Sequence, residues 1–136
     1  MANLYPMTLL SKFALQSYIY QYKNDPTSIK RKFAMIQLSS MAGLRYIISV
    51  GVYACTKTYN LQWNNMVTQL NAQWGRYKTM NIDSLCVCPS LVSTPMTGHA
   101  TKHNSCLPSQ TARGSLNDLG TMKISFGSDI HAFWGC

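Results

Sequence analysis

FAMIQLSSMAGLRYIISVGVYACTKTY, residues 33–59, is the longest nearly uncharged apolar run of the chain, and how it is read decides the fold. Taken as a helix, residues 34–55 extend about 33 Å at 1.5 Å per residue, enough to cross a hydrocarbon core of about 30 Å. Its polar members, Gln37, Ser39, Ser40, Arg45 and Ser49, scatter around such a helix and form no polar face. A helix that is apolar all round belongs at the centre of a bundle or in lipid. Arg45 weighs against lipid, because a mid-span arginine costs roughly 2.5–3.5 kcal/mol while each Ile, Leu or Val returns about 0.3–0.6. The first expectation is a helix buried among protein, with Arg45 reaching an edge, a carboxylate or a carbonyl. A membrane span flanked by Lys30, Arg31 and Lys32 comes second, and a strand over the β-branched residues 46–52 (YIISVGV) third.

Working outward, residues 7–23 follow Pro6 and set Leu10, Phe13, Ala14 and Tyr18 at helical spacing. Asn24-Asp25-Pro26 punctuates that segment, and so short a link predicts an antiparallel helical hairpin with the apolar run. Ser39, Gly43 and Gly51 sit at four- and eight-residue intervals, a spacing that permits close helix contact. On the far side, Trp63, Val67, Leu70, Trp74 and Tyr77 recur at steps of 4, 3, 4 and 3, opposite Gln62, Asn65, Gln69 and Gln73. That pattern predicts an amphipathic third helix whose aromatic stripe is core or interface. Beyond residue 81, Ser, Thr, Pro, Gly and Asn dominate without a sustained period. The expected fold is mainly α: a helical hairpin plus an amphipathic helix in residues 1–80, then an irregular extension in 81–136. That extension is expected to end in a β-hairpin, in which Met122, Ile124 and Phe126 pair with residues 130–134 across Gly127-Ser128-Asp129.

Composition narrows the class of object. A length of 136 residues suits one domain, and a hydrophobic content of 46% excludes wholesale disorder. Charged residues make up only 12%, against about 25% in typical domains. Glutamate is absent, and the four acids are Asp25, Asp83, Asp118 and Asp129. So sparse a charge predicts a surface covered by partners. The net charge of +8 permits contact with phosphates or anionic lipid. The candidate basic contacts are Lys30, Arg31 and Lys32, with Arg76 and Lys78 beside the aromatic stripe. No secretory leader or N-x-S/T sequon is read, so an intracellular or organellar membrane setting is expected.

One constellation carries possible chemistry. Cys86, Cys88, His99, His103 and Cys106 lie within CVCPSLVSTPMTGHATKHNSC, and thiolate with imidazole is the ligand set of a structural zinc. The C-x-C pair is tighter than the usual C-x2–4-C. Ordinary thiols with surface histidines compete with that reading, as does a disulfide joining Cys86 or Cys88 to Cys106 or Cys136. A thiol enzyme would need Cys106 or Cys88 as nucleophile and His103 or His131 as base. No catalytic residue or cofactor pattern is complete. The expected function is therefore a non-enzymatic assembly subunit, packed against other chains or copies of itself in a membrane-associated, organellar or coat complex. Its interface would include Arg45, Trp63, Val67, Leu70, Trp74 and Tyr77. A zinc-stapled basic module for RNA or DNA is the alternative, and a Cys–His thiol enzyme the third reading.

Overall fold

The computed structural model describes residues 4–25, 27, 32–45, 47–73, 82–99 and 105–135. Its centre is a parallel sheet, and this overturns the mainly helical expectation. Helix α1 (Tyr5–Asn24) leads to strand β1 (Phe33–Leu38), and helix α2 (Gly51–Gln73) carries the chain to strand β2 (Ile82–Val87). Then come β3 (Leu91–Val92), β4 (Ser105–Cys106), α3 (Pro108–Asp118), β5 (Ile124–Ser125) and α4 (Asp129–Gly135). The main sheet has the order β1-β2-β5, and β3 and β4 form a second, two-stranded sheet. Every strand pair in both sheets is parallel, including Phe33 opposite Ile82 and Cys86 opposite Ile124.

The apolar run is not one helix. Its first six residues alternate buried and exposed along β1, with Phe33, Met35 and Gln37 inward. Ser39 then donates its N–H to Val87 at 2.7 Å, and Met41 donates to Pro89 at 3.0 Å, so the chain leaves β1 along the end of β2. Ser40 caps a short 3-10 turn, Met41–Gly43, by accepting the Ala42 N–H at 3.2 Å. The helical part of the run begins only at Gly51. Residues 47–50, within the segment offered as a strand, form a turn in which Ser49 has φ of 80°.

Both α1 and α2 cover the sheet face that carries Phe33, Ile82, Cys86 and Cys88. Leu15, Tyr18, Ile19 and Tyr22 of α1 pack on Phe33 and Ile82, and the Tyr18 ring stacks on Phe33 at 4.6 Å. Tyr18 also donates its hydroxyl to the Ala34 carbonyl at 2.8 Å. Leu61 of α2 packs on Cys86 and Cys88, and Asn64 accepts from Ser84 while donating to the Lys123 carbonyl. The predicted helical hairpin is therefore a helix packed on the strand that follows it. On the other face α3 shares a cavity with Ile36, Leu38 and Val87. There Ile36 is 44% and Leu38 58% exposed, and among the described residues β1 is paired along one edge only.

The irregular extension and terminal hairpin are also corrected. β5 pairs with β2 in parallel, and the segment offered as the returning strand is helix α4. Gly114 lies so close to the Gly127 backbone that a Cβ would collide with it, which seats α3 against the loop after β5. Among the described residues no helix is long and apolar enough to cross a membrane.

Candidate active site

In open parallel sheets the crevice beyond the carboxyl ends of the strands is where ligands bind. Here that region opens into a mostly apolar cavity of about 900 Å3, near the upper end of ordinary ligand pockets. Leu38, Val50, Val92, Met96 and Leu116 supply apolar wall, and its polar groups include Ser39, Ser40, Tyr53, Lys57 and Thr111. Among the described lining residues there is no carboxylate and no imidazole. Proton chemistry in this cavity rests on hydroxyls and one amine.

Tyr53 and Lys57 stand one turn apart near the start of α2, which brings both to the same wall. The Lys57 ammonium lies 5.5 Å from the centre of the Tyr53 ring. Burial pushes the Lys57 amine below its usual range, and the Cys86 and Cys88 thiols, when ionised, pull it back up. Its Nζ reaches the Leu38 carbonyl at 3.4 Å, and Asn60 donates to the same carbonyl at 3.1 Å.

The two serines after β1 are placed differently. Ser39 is buried and donates its hydroxyl to the Lys57 carbonyl at 2.6 Å, so its proton is spent on fixing α2. Ser40 uses its oxygen to accept from Ala42, leaving its hydroxyl proton for the cavity. Gly43 tightens this joint: a Cβ there would lie 2.8 Å from the Lys57 carbonyl carbon, and Thr58 donates to the Gly43 carbonyl at 3.0 Å. In the sequence Gly43 and Ser39 show only a small-residue spacing and Ser40 a polar break in the run, while Tyr53 and Lys57 offer no signal beyond their four-residue spacing and the lone charge after the run.

Beneath Lys57, Cys86 and Cys88 are fully buried with sulfurs 3.9 Å apart. The hydrogen bond to Cys88, together with burial, pushes the Cys86 thiol up. Cys88 is held below its usual range chiefly by that same bond, aided by Ser39, the Ser40 N–H and Lys57, with burial opposing. Cys106 stands in a second cluster, 2.9 Å from Thr111 Oγ1 and 3.6 Å from His131 Nδ1. His131 is buried, 3.3 Å from the Ser90 N–H and 3.1 Å from the Leu91 carbonyl.

The other predicted site residues are dispersed. His99 lies exposed on the turn after the 3-10 segment Pro95–Thr97, and His103 lies outside the described residues. Among the described residues, no three His, Cys, Asp or Glu side chains gather as metal ligands. Lys30, Arg31, Trp74, Arg76, Tyr77 and Lys78 lie outside the described residues. Lys32 stands 3.9 Å from Asp83. Val67 is buried, Trp63 and Leu70 are half-buried, and Arg45 is exposed beside a smaller pocket with Gly43 and Cys55. No protein-family model matches the chain, and no curated protein matches its sequence.

Proposed function

We propose that the protein is an oxidoreductase that interconverts a carbonyl and an alcohol on an apolar substrate, with Tyr53 as the proton donor and acceptor. The observation that carries this reading is the joint placement of Tyr53, Lys57 and Ser40 on an apolar cavity at the carboxyl ends of parallel strands. Hydroxyls and an ammonium suit an oxygen that gathers negative charge, and the described lining offers no carboxylate or imidazole to compete as base.

Ser40 donates its hydroxyl to the substrate oxygen and orients it. Tyr53 delivers its proton to that oxygen as the carbonyl is reduced, and takes it back in the reverse direction. Lys57 stabilises the negative charge left on the phenol oxygen, an effect that burial strengthens. A nicotinamide-type carrier, when bound, supplies the hydride. None of the eight glycines falls in G-x-G-x-x-G spacing.

The test is consumption of reduced nicotinamide by the purified protein against ketones of increasing apolar size. Turnover should rise with apolar bulk, and Lys57→Met should lower it by about 100-fold or more, in the range for a lost charge-stabilising group. Absence of turnover with every ketone, or full activity in Lys57→Met, would remove the proposal. The expectation of an assembly subunit also keeps support, since Tyr5, Leu10, Phe13 and Tyr20 leave an exposed apolar side on α1. Packing of α1 against another protein surface is compatible with the enzymatic reading.

A further inference from the structure

Asn60 is not among the residues that line the cavity, yet it is 2% exposed and its Oδ1 is buried without a hydrogen-bond partner among the described residues. A buried amide that leaves one end unsatisfied is costly to keep, so its other end must matter to the fold or to the site. That other end donates to the Leu38 carbonyl. Leu38 is the last residue of β1, and its neighbour Ser39 points its N–H at β2. Alternation along a strand turns the Leu38 carbonyl the opposite way, toward the edge where no strand pairs with β1 among the described residues. Side chains of α2 therefore satisfy it, and they are Asn60 and Lys57.

The lysine contact is long at 3.4 Å, outside the usual range of about 2.7–3.2 Å, so it is weak and sensitive to where its acceptor sits. Asn60, about one turn further along the helix, makes the shorter bond to the same carbonyl at 3.1 Å. We propose that Asn60 is a positioning residue: it fixes the Leu38 carbonyl, which in turn anchors the Lys57 ammonium beside Tyr53. The inference rests on the proton-transfer reading of that site, but the anchoring itself does not depend on catalysis.

Asn60→Leu tests it, because leucine keeps the branching and heavy-atom count of asparagine and removes the unsatisfied oxygen along with the donor. If Asn60 served only the fold, this change would leave Lys57 as it was. Two readouts separate the possibilities. In the first, an amine-acylating reagent is applied at a series of pH values, and Lys57 labelling is followed by peptide mass. Asn60→Leu should label at least about threefold faster than wild type while the thermal midpoint stays equal or rises. In the second, ketone turnover should show kcat down at least about tenfold with KM nearly unchanged, the mark of an interaction used in the transition state. Asn60→Gln, which keeps an amide donor one carbon further out, should recover part of both. Faster labelling in a protein with no turnover would sink the proposed reaction and leave the anchor standing. Turnover and Lys57 labelling both unchanged in Asn60→Leu would overturn the anchor and leave the reaction standing.

Discussion

Cys86 shows how much of the site's electrostatics lies below the surface. Its thiol holds its proton in the fold because Cys88 and burial both disfavour the thiolate, whereas the unfolded chain loses that proton near pH 9.0. Above that pH the folded state binds the extra proton, so this contribution to stability is present below 9.0 and is lost as pH rises beyond it. One such proton is worth about 1.4 kcal/mol per pH unit. Lys57 works with the opposite sign, since its lowered value lets stability rise until the unfolded amine titrates near 10.5. Cys88 shifts the opposite way through the same bond, so the pair is removed together, and the folded pair holds the extra proton only above 9.0. Urea unfolding at pH 9 and pH 10 should show wild type losing on the order of 1 kcal/mol more than Cys86→Ala/Cys88→Ala. Parallel losses would mean that the pair ionises equally in both states.

At the scale of elements, the joint between β1 and α2 sets Ser40, Tyr53 and Lys57 on one cavity. Ser39, Gly43 and Thr58 lock the turn after β1 onto the backbone of α2 at Lys57. A methyl at position 43 would meet that backbone rather than a side chain that could swing away. Gly43→Ala should therefore cost about 1–3 kcal/mol as overpacking, and it should lower turnover by displacing Lys57. Thermal unfolding and ketone turnover check the two halves, and a variant with wild-type values in both would contradict the close contact. This joint also explains why the apolar run misleads. Phe33, Met35 and Gln37 face inward, the exposed positions between them (Ala34, Ile36 and Leu38) are apolar as well, and only residues 39–50 separate this strand from α2, so strand and helix merge into one hydrophobic stretch. Periodicity alone does not separate a buried parallel strand from a buried helix. The polar Ser39-Ser40 pair was the available sign of a break.

Across the whole molecule, two helices were legible in part: residues 7–23 fall in α1, although Leu10 and Phe13 of the expected stripe are exposed and Tyr18 packs inward, and Val67 of the third-helix stripe is buried on α2. The parallel sheet was not legible. β3, β4 and β5 are each two residues long, too short to carry a period; β5 is defined by its pairing with β2, and β3 and β4 by their pairing with each other. Of the candidate chemistry, sequence proximity suggested one Cys/His cluster. The fold pairs Cys86 with Cys88 and sets Cys106 beside His131 from a distant segment. Tyr53 and Lys57 gain meaning only when β1, α2 and α3 enclose a common cavity. The central claim is that Tyr53 moves the proton at that cavity. Its most direct test is steady-state ketone reduction by Tyr53→Phe, which deletes one hydroxyl and keeps the ring beneath Lys57. The account predicts kcat reduced about 10²–10⁴-fold with folding intact by circular dichroism. Tyr53→Phe turning over at the wild-type rate would contradict it.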